Sequence, residues 1–292
     1  MKLKTIIASA VASLTLAGCA THDHINKDEV AQIKSVAVVM YNVPAFIEPN
    51  TEKPEQIEHS QGGGFDSGDL LGLAGNMVGG VAKDVTDFAT QAHIKKRIDG
   101  QEAANLALPN FVTELAKKEG WKVKSPSEVL NNATYRAETA NLIANDEIKS
   151  LTSFGRATAG PADYANLTLP SSYNVNVPYY ETEAFKQFAA KSARALDVDA
   201  VIVLSDTGFA TDQTGLFSGG KCYSKSAFHY AMFNINGEKV LETRASFDQS
   251  NIVEKHGCVN GKFLEKDYRR AMQQHGKDQA DAISIKLKEL RA

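Results

Sequence analysis

The apolar positions of this chain fall into three patterns: unbroken runs, alternations and helical stripes. Ser35 to Val43 (SVAVVMYNV) and Asp199 to Leu204 (DAVIVL) are nearly continuous in β-branched and apolar residues. Such runs predict strands buried on both faces. Phe185, Phe188, Ala189, Ser192 and Leu196 form one small-to-apolar stripe, which predicts a helix over 182–196. Phe111, Leu115 and Lys118 share helical spacing in a second helix that stops at Gly120, with Pro109 placed near its start, where proline is tolerated. Trp121 to Lys124 alternates like a short strand, and Ser125-Pro126-Ser127-Glu128 is a capping box opening a short helix. Residues 133–149 favour helix. Near the end, Ala282, Ile285 and Leu287–Leu290 give a closing helix its apolar stripe among lysines. Residues 20 to about 33 are polar and read as a tether; 44–69, 150–180 and the Gly-rich 206–221 read as connections.

One hairpin can be registered residue by residue. Asn236-Gly237 lies between two apolar runs, a strong two-residue turn signal. That turn pairs Met232 with Leu241, Tyr230 with Thr243 and Phe228 with Ala245, an apolar face. The opposite face, Phe233 with Val240, Ala231 with Glu242 and His229 with Arg244, is wetter and is expected nearer to solvent. The element order is then strand, helix, strand, helix, strand, hairpin, helix. This predicts an α/β fold: a mixed β-sheet with packed helices and a C-terminal hairpin plus helix, one domain over 35–292 with a Gly-rich insertion at about 50–100.

The amino terminus carries separate information. Lys2 and Lys4 precede an apolar stretch from Ile6 to Leu16, too short to span a bilayer, and Leu16-Ala17-Gly18-Cys19 follows. Residues 1–18 read as a lipoprotein signal peptide, with Cys19 as the acylated residue. Acyl chains such as palmitate would then anchor the protein. Ala20, rather than aspartate, points to the outer membrane facing the periplasm.

Removing that signal leaves 30 basic groups against 35 acidic ones, a charge of about −5, which argues against nucleic acid as a partner. With Cys19 acylated, Cys222 and Cys258 remain. In an oxidising compartment this even remainder predicts a disulfide closing a loop of 36 residues. Such a closure is worth roughly 3–4 kcal/mol in the chain-entropy model.

Several patterns invite a chemical reading. Gly215 to Cys222 (GLFSGGKC) approaches a phosphate loop, but cysteine replaces the magnesium-holding hydroxyl and a β-run follows, so no nucleotide is expected. His22-Asp23-His24, and His256 with Cys258, lack the further ligands of a metal site, so no metal and no other cofactor is expected. His229 reads as a hairpin residue near Arg244 rather than half of a catalytic dyad, and no catalytic residue is assigned. The least ordinary stretch is 68–92. Gly68, Gly72, Gly75 and Gly79 would line one helix face there, as a contact for a partner, a sister subunit or lipid, or as an insertion covering the sheet.

The passage ARALDVDAVIVL (193–204) and the hairpin YAMFNINGEKVLETR (230–244) resemble a family of lipoproteins. Its members share the fold of the TolB amino-terminal domain and of the curli secretion lipoprotein. The resemblance covers about 35–43, 101–130 and 182–291. It implies scaffolding, export or allosteric binding in the envelope, with an envelope protein or a second copy as partner and no catalysis. An envelope carbohydrate-binding protein using Tyr173, Tyr179 and Tyr180, or a hydrolase, is the alternative.

Overall fold

The computed structural model describes residues 23–47, 98–153, 155, 157–168, 177–213, 222–247, 252–253, 258–259, 262–263 and 265–292, by backbone alone for 47, 206–213, 222–225, 247, 252–253, 258–259, 262–263 and 265–267. The fold is mixed α/β, as the pattern predicts.

In chain order the strands are β1 (His24–Ile25), β2 (Ser35–Pro44), β3 (Phe46–Ile47), β4 (Ile98–Asp99), β5 (Lys122–Val123) and β6 (Thr158–Ala159). They continue with β7 (Ala200–Gln213), β8 (Cys222–Asn234), β9 (Lys239–Phe247), β10 (Ile252–Val253), β11 (Cys258–Val259) and β12 (Lys262–Phe263). The helices are α1 (Lys27–Gln32), α2 (Gly100–Glu119), α3 (Pro126–Leu130), α4 (Ala133–Ala144), α5 (Asp146–Thr152), α6 (Glu183–Leu196) and α7 (Glu265–Arg291), with a 3-10 turn at Pro178–Glu181.

The main sheet has the order β1-β9-β8-β7-β2-β5, with β10 and β6 extending β8 and β2. β2 runs parallel to β5 and β7, and the rest of that path is antiparallel. β2 is central, and Val36 to Val43 are all buried, as its unbroken apolar run requires. α2 and α7 cover one face together, and α6, backed by α4, covers the other.

Asp199, in the stretch that carries the family resemblance, has a definite local task. Its Oδ2 accepts from the Lys34 and Ser35 N–H groups at 2.9 and 2.8 Å and from the Ser35 hydroxyl at 2.9 Å, stitching together the amino ends of the parallel strands β2 and β7. Burial opposes the charge, but the N–H groups of Lys34 and Ser35 and the Ser35 hydroxyl outweigh it and hold this carboxyl below its ordinary range.

Three helix boundaries differ from the pattern-based reading. α2 starts at Gly100 because Asp99 accepts the Gln101 and Glu102 N–H groups, so Pro109 lies inside the helix. Asn105, whose carbonyl loses that donor, is itself exposed, which limits the cost. Residues 133–149 are divided by Asn145, which ends α4 and whose side chain caps α5. The expected tether is also shorter. Asn26 caps α1, Val30 is buried, and Asp23 and His24 bond to the body, so the fold begins by residue 23. The capping box at Ser125 forms as expected.

The hairpin keeps its register from Met232–Leu241 onward but not at the turn. Gly237 has φ +80° and Asn236 does not adopt positive φ, so the loop is not the two-residue turn that needs both. Instead Asn234 bonds through its N–H to the Glu238 carbonyl and accepts from Gly237. Phe233 therefore faces Lys239, and a bulge at Val240 restores the register. A Cβ on Gly237 would lie 2.2 Å from the Lys186 carbonyl oxygen, so glycine is required by space as well as by φ. The expected wetter face is a further correction. His229, Ala231, Phe233 and Glu242 are all buried, because α6 covers that side while α2 and α7 cover the other. Residues 206–213, expected in a loop, continue β7 and pair with β8 out to Gln213–Cys222.

Candidate functional site

The apolar stripe of α6 rests on the sheet through Phe185 and Phe188, and Phe185, Tyr179, Tyr180 and Phe233 form one aromatic cluster with ring centroids 4.9–5.6 Å apart. Tyr179 and Tyr180 are fully buried in it. They cannot serve as an exposed carbohydrate platform, which corrects that expectation; Tyr173 lies outside the described residues.

Beside this cluster runs a chain of four polar side chains. His229 Nε2 donates to Glu242 Oε1 across 3.1 Å, and the same oxygen accepts the Val177 N–H at 3.3 Å. Glu242 Oε2 pairs with the Lys239 ammonium, which also pairs with Glu181. Lys186 lies 3.6 Å from Glu181. Side-chain exposure rises along this chain from 0% at His229 through 2% at Glu242 and 14% at Lys239 to 55% at Glu181. The charge is led outward, rather than sealed in.

The electrostatics follow from these contacts. Burial opposes ionisation of Glu242, but the bonds from His229 and Lys239 outweigh it and hold its carboxyl below the ordinary range. Lys239 is desolvated too, yet its two carboxylate partners raise it above the ordinary lysine value. Glu181 is lowered chiefly by its bond from Lys239. Both glutamates are thus poised to stay ionised and the lysine to stay protonated. Neither a proton-donating carboxyl nor a neutral amine nucleophile is supplied by this arrangement.

Above the chain lies a half-open groove of about 660 Å³ between α6, the hairpin turn and β1. α6 contributes Lys186, Lys191 and Arg194, the turn contributes Glu238 and Lys239, and His24 closes one end with Nε2 2.9 Å from the Lys239 carbonyl. Lys191 pairs with Glu138 at 3.0 Å, outside the groove's own walls. Charges of both signs and the backbone of the turn line this groove.

Of the residues singled out from sequence, His24 lines the groove and His229 begins the charge chain beneath it. Cys19, His22, Gly68, Gly72, Gly75, Gly79 and the Gly215–Lys221 stretch lie outside the described residues, as do the side chains of Cys222, His256 and Cys258. Among the described residues no three His, Cys, Asp or Glu groups are placed to hold a metal. Asp23 does not ligate with His24; it pairs with Lys286 at 2.8 Å. His229 is in register with Arg244, as expected, but its ring bonds to Glu242. Sequence reasoning missed Lys239, Glu181 and the groove. The available signal was that a helical stripe on 182–196 and another on the closing helix each need a sheet face, which forces burial of both faces of the hairpin.

No protein-family model matches this chain, and no curated protein matches its sequence.

Proposed function

We propose that this protein is a non-catalytic, lipid-anchored component of the cell envelope that binds or assembles envelope partners from the periplasmic side of the outer membrane. The observation that carries this reading is the groove over a saturated charge chain: Glu242, Lys239 and Glu181 beneath it engage one another, and the rim carries lysine, arginine and glutamate, with Lys186 and Lys191 held by Glu181 and Glu138. Such a site supports binding through charge, and the chain beneath it supplies neither a protonated carboxyl nor a neutral amine. The lipobox at Cys19 and the resemblance to the TolB amino-terminal and curli secretion lipoproteins support the location and the role.

The test is the native mass of the protein extracted from membranes in mild detergent, for the wild type and for the double variant Lys191→Glu with Arg194→Glu. A discrete complex that the variant loses is the expected result. A wild type that runs as a monomer of its own mass removes the assembly role. The compartment has its own check. Mass spectrometry of the non-reduced protein should find Cys222 linked to Cys258, and free thiols at both would count against an oxidising location.

A further inference from the structure

We infer that the edge of the sheet formed by β1 and β9, with the outer face of the carboxyl half of α7, lies against lipid headgroups, so that the body is held edge-on to the bilayer. This rests on the lipid-anchor reading of Cys19.

The first observation is the length of chain between anchor and fold. Only Ala20, Thr21 and His22 separate Cys19 from Asp23. However they are arranged, four residue steps span at most about 14 Å. Asp23 is itself fixed in the body: its carboxylate accepts from the Thr243 hydroxyl of β9 at 2.5 Å and pairs with Lys286 of α7 at 2.8 Å. The next residues are fixed as well, His24 by the Lys239 carbonyl and Asn26 through its N–H to the Val240 carbonyl at 2.8 Å. From β1 to β5 the sheet crosses five strand spacings of about 4.8 Å, roughly 24 Å. The reach of the tether falls well short of that, so the far edge at β5 cannot be turned toward the membrane.

The second observation is what stands beside the attachment point. Ile285 precedes Lys286 on α7 and is 59% exposed, more than the other exposed large hydrophobic residues of the described chain, Phe46, Ile143 and Ile235. The periodicity places it in the closing helix's apolar stripe. In the structure Ile283 and Leu287 take the buried positions, and Ile285 points outward, with the exposed Lys288 and Glu289 as its next-turn neighbours. An exposed isoleucine beside a lysine suits the boundary between headgroups and acyl chains, where the Lys288 stem can extend along apolar surface while its ammonium stays hydrated.

The test uses the full-length lipidated protein in liposomes of phosphatidylethanolamine and phosphatidylglycerol. A benzophenone amino acid is placed at Ile285 and, in separate proteins, at Ile143 and Phe46. Photolysis should give phospholipid adducts at 285 and few at 143 or 46. A Gly-Ser insert of about twenty residues after Ala20 should cut the yield at 285 roughly tenfold, as the local concentration of bilayer falls with tether length. Equal yields at the three positions, with lipid present on Cys19 by intact mass, would overturn the orientation and leave the anchor standing. A wild-type chain carrying no lipid on Cys19 would overturn the anchor and the orientation with it.

Discussion

Under α6 the sheet encloses ionised groups, Glu242 and Lys239, with His229 at their inner end and Glu181 leading them to the surface. Under α2 and α7 the buried polar groups are instead met by local partners along a helix seam. There the Tyr41 hydroxyl bonds to Gln279, Gln274 donates to Asp278 at 2.9 Å, and Tyr268 bonds to Glu102. The two arrangements occupy adjacent rows of the same strands. Tyr41, Leu204, Tyr230 and Thr243 are cross-strand neighbours on one face, and Asn42, Ser205, His229 and Arg244 on the other. The difference shows two ways to bury polarity. On the α6 face charge answers charge in a series that ends in solvent, whereas these seam bonds join a neutral donor to a neutral acceptor, as at Gln279, or to a carboxylate, as at Asp278 and Glu102.

The strongest way to break this comparison is at its most buried charge. Glu242→Leu takes a carboxylate from both His229 and Lys239 and should cost about 3 kcal/mol, read from denaturant midpoints. Gln279→Leu removes one neutral partner from Tyr41 and should cost only about 1 kcal/mol. Equal losses would erase the distinction between the two faces.

The seam has a steric weak point of its own. A Cβ on Gly276 of α7 would lie 2.1 Å from the Ala107 carbonyl oxygen of α2, so the two helices meet there almost backbone to backbone. Gly276→Ala should destabilise by about 2 kcal/mol despite alanine's better helix propensity, because the helices must part. A stabilised variant would show that the seam yields.

Acid should sharpen the contrast next. Glu242 and Glu181 both have lowered carboxyl pKa values in the fold. Their contribution is therefore complete above the ordinary carboxylate pKa of about 4.3 and lost as pH falls through the lower folded value. The stability gap between wild type and Glu242→Leu should be flat at neutral pH and shrink at acid pH, while that for Gln279→Leu stays constant. The smallest effect belongs to the groove rim: Lys191→Ala breaks an exposed pair with Glu138 and should change stability by about 0.5 kcal/mol or less.

The sheet was legible in the sequence where burial is one-dimensional. An unbroken run such as 35–43 can only be a strand covered on both sides, and a capping box at Ser125 states its own geometry. The hairpin register from Met232–Leu241 onward followed from the side-chain alternation alone. The turn did not, because Asn236-Gly237 fits both a two-residue loop and a longer one, and the close approach of Lys186 to Gly237 is a tertiary fact. The site was illegible for the same reason. Glu181, Lys239 and Glu242 are ordinary surface types, and only the docking of α6 on the sheet turns them into a connected chain. Ile285 fits the helical stripe by spacing, yet Ile283 and Leu287 fill the contact.

The central position of β2 has a consequence for how the chain is made. Its long partner, β7, begins some 165 residues later, and β1 pairs with β9 farther still along the chain. A polypeptide emerging amino end first therefore presents SVAVVMYNV with, among the described residues, only the short β5 and β6 available to pair with it until β7 has been delivered. Non-local pairings of this kind form slowly, and an uncharged β-rich window left open is a site of misassembly. Completion of this domain is thus a late event in its synthesis, and whatever shields the half-delivered chain must do so at the segment that ends up most deeply enclosed.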